Sequence, residues 1–240
     1  MHFHPEFDPA QATIGLTSQG RCQLKPLLDQ PSLTLLQKEI AEIVSWNLVT
    51  RLGGKHLDLD SSAMDKLPQL QQAEFYARVM QEAEQGFQYL FETFPIYDAW
   101  HQGRLPSEAP VLAKIFEFIN SESFLSVMRE MLKCQDIGFA DAQLTRYRPG
   151  HFLTWHDDEV KGKNRVAAFV LSLSQDWQAE WGGLLQFDDG GTKTAFLPQY
   201  NCLSIFKVPT RHQVTPVISG AGHYRYSITG WLRSGEDPGQ

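Results

Sequence analysis

The chain has 240 residues, 42% hydrophobic and 20% charged, which is enough apolar matter to bury a core and excludes a dominantly disordered chain. Lys and Arg number 21 against 28 Asp and Glu, a formal charge of -7, so a role that grips nucleic-acid phosphates is not expected. Three widely separated cysteines, Cys22, Cys134 and Cys202, argue against a disulfide framework or a cysteine zinc site, and with neither a signal-peptide pattern nor an apolar run near the ~18 residues of a membrane span a soluble, cytoplasmic protein is expected.

In chain order, residues 1–19 are expected to form an extension whose His2 and His4 lie near a mobile end. Residues 20–233 are expected to form one domain, helix-rich over 20–135 and strand-rich over 136–233, followed by a polar tail over 234–240. Residues 20–24 read as a short strand. Ser32 is the expected cap of a helix with Leu33, Leu36, Ile40 and Val44 at helical spacing. Residues 46–52 predict a strand that stops at Gly53-Gly54. The spacing predicts a helix over 69–94, with Phe75, Val79, Phe87, Leu90 and Phe91 as its stripe and Pro95 as its stop. Residues 110–133 predict two helices broken near Asn120-Ser121. These stripes are read as core packing. Past about Asp136, short β-rich runs at 142–147, 166–173, 184–187, 202–208 and 225–232, punctuated by Gly and Pro, predict a sandwich or barrel.

The chemistry gathers in the second half. His156 and Asp158 in Trp155-His156-Asp157-Asp158 are one residue apart. On an extended strand they share a face, whereas Asp157 points away. A His-x-Asp arises often by chance, so it counts only with partners. His212 follows the apolar run 203–208 and can bring a third ligand from a neighbouring strand. Two histidines and one carboxylate on one face of an ion leave three positions open, the arrangement of non-haem Fe(II) oxygenases. Arg225 shares a strand face with Ser227. A buried guanidinium fork calls for an anionic partner, which the distal carboxylate of 2-oxoglutarate can supply. His151 and His223 read as loop histidines, and Lys207 and Arg211 as solvated surface charges.

Taken together, His156-x-Asp158, His212 and Arg225, in that order, resemble the 2-oxoglutarate- and Fe(II)-dependent dioxygenase superfamily, and within it the prolyl hydroxylase branch. Arg146-Tyr147-Arg148-Pro149-Gly150 resembles the family's "RY…G" strand, and Trp181-Gly182-Gly183-x-Leu185 its glycine turn. Asn201 through His212-Gln213-Val214 and Arg225-Tyr226-Ser227-Ile228-Thr229-Gly230-Trp231 resemble its later strands. The resemblance is dense over 141–233 and looser over 20–133. It is nearest to the catalytic domain of ribosomal-protein prolyl hydroxylases, which carry a second, non-catalytic barrel; this chain is expected to hold the first alone.

The resemblance implies an α+β fold, a double-stranded β-helix (jelly-roll) barrel with N-terminal helices packed on one sheet. It implies Fe(II) held by His156, Asp158 and His212 as the catalytic centre, 2-oxoglutarate held by Arg225 and Tyr147, O2 as the second cosubstrate and ascorbate as reductant. The reaction it implies is hydroxylation of a prolyl residue in a protein, with release of succinate and CO2. The alternatives are the same chemistry on free proline or another small molecule, and a non-catalytic metal-binding jelly-roll sensor. An open groove at the mouth would indicate a peptide, a closed pocket a small molecule. Nucleic-acid demethylases of the superfamily place a second Arg six residues after the first; here Trp231 stands there, in line with a substrate that is not nucleic acid.

Overall fold

The computed structural model describes residues 1–239; Gln240, the end of the expected tail, lies outside the described residues. A 3-10 turn at Pro9–Gln11 leads into α1 (Ala12–Ser18) and β1 (Arg21–Leu24). There follow α2 (Gln30–Glu42), the hairpin β2 (Asn47–Leu52) and β3 (Lys55–Asp60), α3 (Ser61–Asp65), α4 (Gln69–Ala83) and β4 (Tyr89–Phe94). Four helices come next, α5 (Ile96–His101), α6 (Leu105–Glu108), α7 (Pro110–Ile119) and α8 (Glu122–Leu132). Nine strands complete the chain: β5 (Ile137–Ala140), β6 (Gln143–Tyr147), β7 (Phe152–His156), β8 (Arg165–Ser172), β9 (Leu185–Asp188), β10 (Lys193–Phe196), β11 (Cys202–Lys207), β12 (His212–Val214) and β13 (Arg225–Ser234).

The expected break between the last two helices is present: the Ser121 hydroxyl caps α8 by accepting from the Phe124 N–H, which satisfies a donor that the helix itself leaves free. Three expectations are corrected. The cap of α2 is Asp29, whose carboxylate accepts from the Ser32 N–H, so Ser32 lies inside the first turn. That helix ends at Glu42, and Val44 is 86% exposed rather than part of the stripe. The predicted helix over 69–94 stops at Ala83, and its last six residues are β4. Beyond Gly86 long-range pairing overrides helical spacing: β4 joins β2, β6 and β7, and the buried Gln88 side chain exchanges hydrogen bonds with the Arg51 backbone. Near the start of the chain, Phe3 packs against Phe118 and Phe124.

All strand pairs are antiparallel, and the strand order β1-β11-β8-β13-β6-β4-β7-β12-β9-β10 folds into two four-stranded layers, β11-β8-β13-β6 and β7-β12-β9-β10, the double-stranded β-helix. β4 bridges the layers, pairing with β6 through Glu92–Phe94 and with β7 through Tyr89 and Leu90. The two ends of the path meet through side chains. Arg21 on β1 donates to Asp189, just past β9, and to Thr194 on β10, while Gln23 donates to the Leu197 carbonyl.

Alternation along the strands sorts the two faces of the first layer. Leu171, Leu203, Ile205, Ile228 and Leu232 face the helices and merge with Leu36, Leu112, Ile115, Phe116, Phe124 and Met128 in the main core. Each such buried side chain contributes about 1.5–3 kcal/mol relative to exposure. Ala168, Val170 and Phe206 face the barrel interior with Phe187. No helix among the described residues is long and apolar enough to cross a membrane.

Candidate metal centre and cosubstrate pocket

His156 ends β7, His212 begins β12, and the two are direct partners across that strand pair, with ring centroids 4.0 Å apart. Asp158 joins them from a turn. Its φ is 65°, in the left-handed region that Asp enters more readily than most residues, so the convergence expected from strand alternation is made by chain reversal instead. The Arg165 guanidinium holds this turn by donating to the Asp158 carbonyl at 3.0 Å and stacking 3.4 Å above the Trp231 ring. The Asp158 oxygens lie 3.4 Å from His156 Nε2 and 3.5 Å from His212 Nε2. One ligand atom from each of the three falls within 4.8 Å of the others.

The tautomers follow from the neighbours. His156 Nδ1 faces the Thr154 carbonyl at 2.9 Å and His212 Nδ1 faces the Thr210 carbonyl at 2.7 Å. A carbonyl only accepts, so each Nδ1 carries the proton, and the lone pair of a neutral ring sits on Nε2. Burial, with His156 beside it, pushes His212 down to about 4, which keeps it neutral at pH 7. Two lone-pair nitrogens and a carboxylate converging in a buried pocket form a donor set that fits a divalent transition metal. Asp157 instead accepts from the Glu159 N–H and is exposed.

Arg225, at the start of β13, pairs in register with Tyr147 at the end of β6, and its guanidinium carbon stands 5.1 Å from the centre of the Tyr147 ring. It is 2% exposed, no carboxylate pairs with it among the described residues, and its one hydrogen bond is a long 3.4 Å contact to Ser227 Oγ, with Nε unpartnered. Burial lowers its pKa below the usual arginine value. A buried guanidinium so poorly matched fits an incoming carboxylate. Gly183 makes room for it: a Cβ there would lie 2.9 Å from Arg225 Cδ, and the residue's φ of 63° also favours glycine. Tyr147 is buried and stacks on Phe91, with centroids 5.2 Å apart and planes 12° off parallel. Burial raises its phenol pKa.

One cavity collects His156, Asp158, His212, Tyr147 and Arg225. Through His156 and Asp158 it joins an outer cleft of about 490 Å³ bounded by the β2–β3 hairpin, Phe87, Tyr89, Phe91, Arg165 and Trp231. His151, His223, Lys207 and Arg211 line neither space. The sequence reading missed Arg165, Gln143 and the role of Phe91. The aromatic run Tyr89-Leu90-Phe91 was the available signal, but it was assigned to a helix.

Residues 142–233 match the family model of the 2OG-Fe(II) oxygenase superfamily. The fold is similar to that of a Pseudomonas putida prolyl-4-hydroxylase, at 19% identity and TM-score 0.60, covering 95% of this chain and 100% of that one. Residues 142–233 are thus similar to the 2OG-Fe(II) oxygenases, and the whole chain is prolyl hydroxylase-like in fold. A prolyl hydroxylase from Trichoplax adhaerens, in complex with a hypoxia inducible factor oxygen degradation domain peptide fragment, is similar at 15% identity and TM-score 0.61, over 94% of this chain and 89% of that one. So is an oxidoreductase of the 2OG-Fe(II) oxygenase family from Burkholderia pseudomallei, at 14% identity and TM-score 0.61, over 98% and 97%. Among curated protein sequences none matches. The family that residues 142–233 match implies Fe(II), 2-oxoglutarate and O2 as cofactor and cosubstrates.

Proposed function

We propose that this oxygenase hydroxylates a prolyl residue in a protein, with conversion of 2-oxoglutarate to succinate and CO2. The observation that carries the reading is the shared cavity: it is lined by two histidine nitrogens and an aspartate oxygen within 4.8 Å of one another and by a buried arginine with no carboxylate partner among the described residues. His156, Asp158 and His212 would hold Fe(II). Arg225 would pair with the far carboxylate of 2-oxoglutarate, with Tyr147 beside it. Bound iron with its cosubstrate supplies the activation of dioxygen against an unreactive C–H bond. The protein orients the reactants and keeps the charged ends of the cosubstrate out of water.

The outer cleft supports a peptide over a small molecule. It is wide, lies at the mouth of the inner cavity, and is walled by Phe87, Tyr89 and Trp231, rings that suit the apolar face of a proline. Residues 20–233 would act as one catalytic unit, with 136–233 carrying the site. Ascorbate would serve to keep the iron reduced. A cytoplasmic workplace suits the three free cysteines.

The test begins with anaerobic protein given Fe(II) and 2-oxoglutarate, read by the visible charge-transfer band of the chelate and then, on admitting air, by succinate release. Proline-containing peptides and free L-proline are then compared by mass spectrometry for gain of one oxygen atom. Hydroxylated peptide supports the reading. Hydroxylation of free proline alone replaces it with a small-molecule enzyme, and metal binding without succinate replaces it with a sensor.

A further inference from the structure

Tyr147 faces the cavity; the residues on either side of it face the other way, as strand alternation requires. Arg146 and Arg148 both pair with one carboxylate, that of Glu92 on β4: Arg146 through Nε, and Arg148 through Nη2 at 2.5 Å. Glu92 is 1% exposed at its side chain and also accepts from the Ser61 hydroxyl at the start of α3. Burial opposes its ionisation, but the bonds from Arg146 and Ser61 and the two guanidinium charges more than offset this, so its pKa is lowered. Arg148 takes a second carboxylate, with Nη1 donating to both oxygens of Asp65 at 3.0 and 2.9 Å, and Arg146 lies 4.2 Å above the Trp46 ring.

The neighbour of Glu92 on the cavity side is Phe91, the ring on which Tyr147 stacks. One carboxylate behind the sheet therefore fixes both residues flanking Tyr147 and the strand that carries its stacking partner. Apolar side chains could hold β4 and β6 together at least as well, since burying a carboxylate and two guanidiniums carries a desolvation cost. What an ion-paired triad adds is a fixed register and a fixed position.

We propose that Glu92 is a positioning residue for the cosubstrate: by clamping Arg146 and Arg148 it holds the Tyr147 phenol against Phe91 and beside Arg225, where 2-oxoglutarate is received. This rests on the reading of Tyr147 and Arg225 given under the proposed function. The three metal-type ligands lie on β7, β12 and the turn after β7, outside the clamp, so metal affinity should be independent of it.

The test is calorimetric titration of 2-oxoglutarate into protein loaded with Mn(II) in place of iron, for wild type, Glu92→Gln, Tyr147→Phe and the double variant. Glu92→Gln should melt cooperatively, keep its Mn(II) affinity, and weaken 2-oxoglutarate binding by roughly tenfold, the scale of an orienting outer contact. Because both act through one ring, Tyr147→Phe should add little in the Glu92→Gln background. Should Glu92→Gln not fold, Asp65→Asn, which removes one of the two carboxylates on Arg148 at a more exposed site, should weaken binding in the same non-additive way. The proposal is overturned if 2-oxoglutarate affinity stays within about twofold of wild type, if the two substitutions add fully, or if Mn(II) affinity falls in parallel. If Tyr147→Phe alone is without effect, the assignment of Tyr147 fails, and this inference with it. If Tyr147→Phe weakens binding and Glu92→Gln does not, only this inference fails.

Discussion

Two arginines on the barrel are equally buried and differently used. Arg21, at the seam where β1 meets β10, is 3% exposed and sends both terminal nitrogens to Asp189, with Thr194 alongside and the Phe187 ring beneath. Arg225, in the cavity, is 2% exposed and has only a long contact to Ser227. The first charge is neutralised within the chain, and closes the sheet. The second carries its desolvation cost without a carboxylate in return, which makes sense if a ligand brings one. What separates the two arginines is the carboxylate: Arg21 has one within the chain, and Arg225 has none among the described residues.

The comparison can be broken at four points. The largest effect belongs to the ligand side: His156→Ala should remove a metal contact worth several kcal/mol and lower turnover by roughly a thousandfold or more, measured as succinate release. Next comes His151, a third buried polar residue, with Nδ1 unpartnered. Unlike Arg225 it can shed its charge, and burial, the main cause, brings it down from 6.5 to about 4. Its folded pKa is the lower one, so the unfolded chain binds more protons between those values. The stability of metal-free protein should hold above pH 6.5 and fall by about 3 kcal/mol more than that of His151→Gln as pH drops to 4, as followed by urea melts. Arg225→Met should weaken 2-oxoglutarate binding by roughly a hundredfold while leaving stability equal or higher; a loss of stability would show that Arg225 is structural after all. The smallest change is at the seam. Asp189→Asn should cost about 1–2 kcal/mol, less than a fully buried pair because Asp189 is 34% exposed, and should leave 2-oxoglutarate binding untouched.

From sequence these arginines look alike, since each begins a short β-rich run and neither run names its partner. Composition and punctuation were enough for β6, β8, β9, β11 and β13, and residue type and spacing were enough to expect His156, Asp158 and His212 to gather. What stayed hidden depends on pairing between distant segments. β4 looks helical until β2, β6 and β7 are beside it. Glu92 has no meaning until Arg146 and Arg148 face it across the sheet. Asp158 is expected beside His156 by an argument about strands, and it reaches that cluster through a left-handed turn instead. Asp29 and Ser32 both carry capping side chains, and only the backbone geometry decides that Asp29 is the one used.

The seam also bears on the order in which the molecule can come together. β1 has its sheet partner in β11, with Arg21 opposite Phe206 and Leu24 opposite Leu203, and β13, the last strand, pairs with β5, β6 and β8. Such sequence-distant pairings make for slow folding. On a ribosome, β1 must wait for β11, about 180 residues later in the chain, to emerge before it finds its place. His212 follows β11 directly, so the three candidate metal ligands can gather only after the strand that receives β1 has been made.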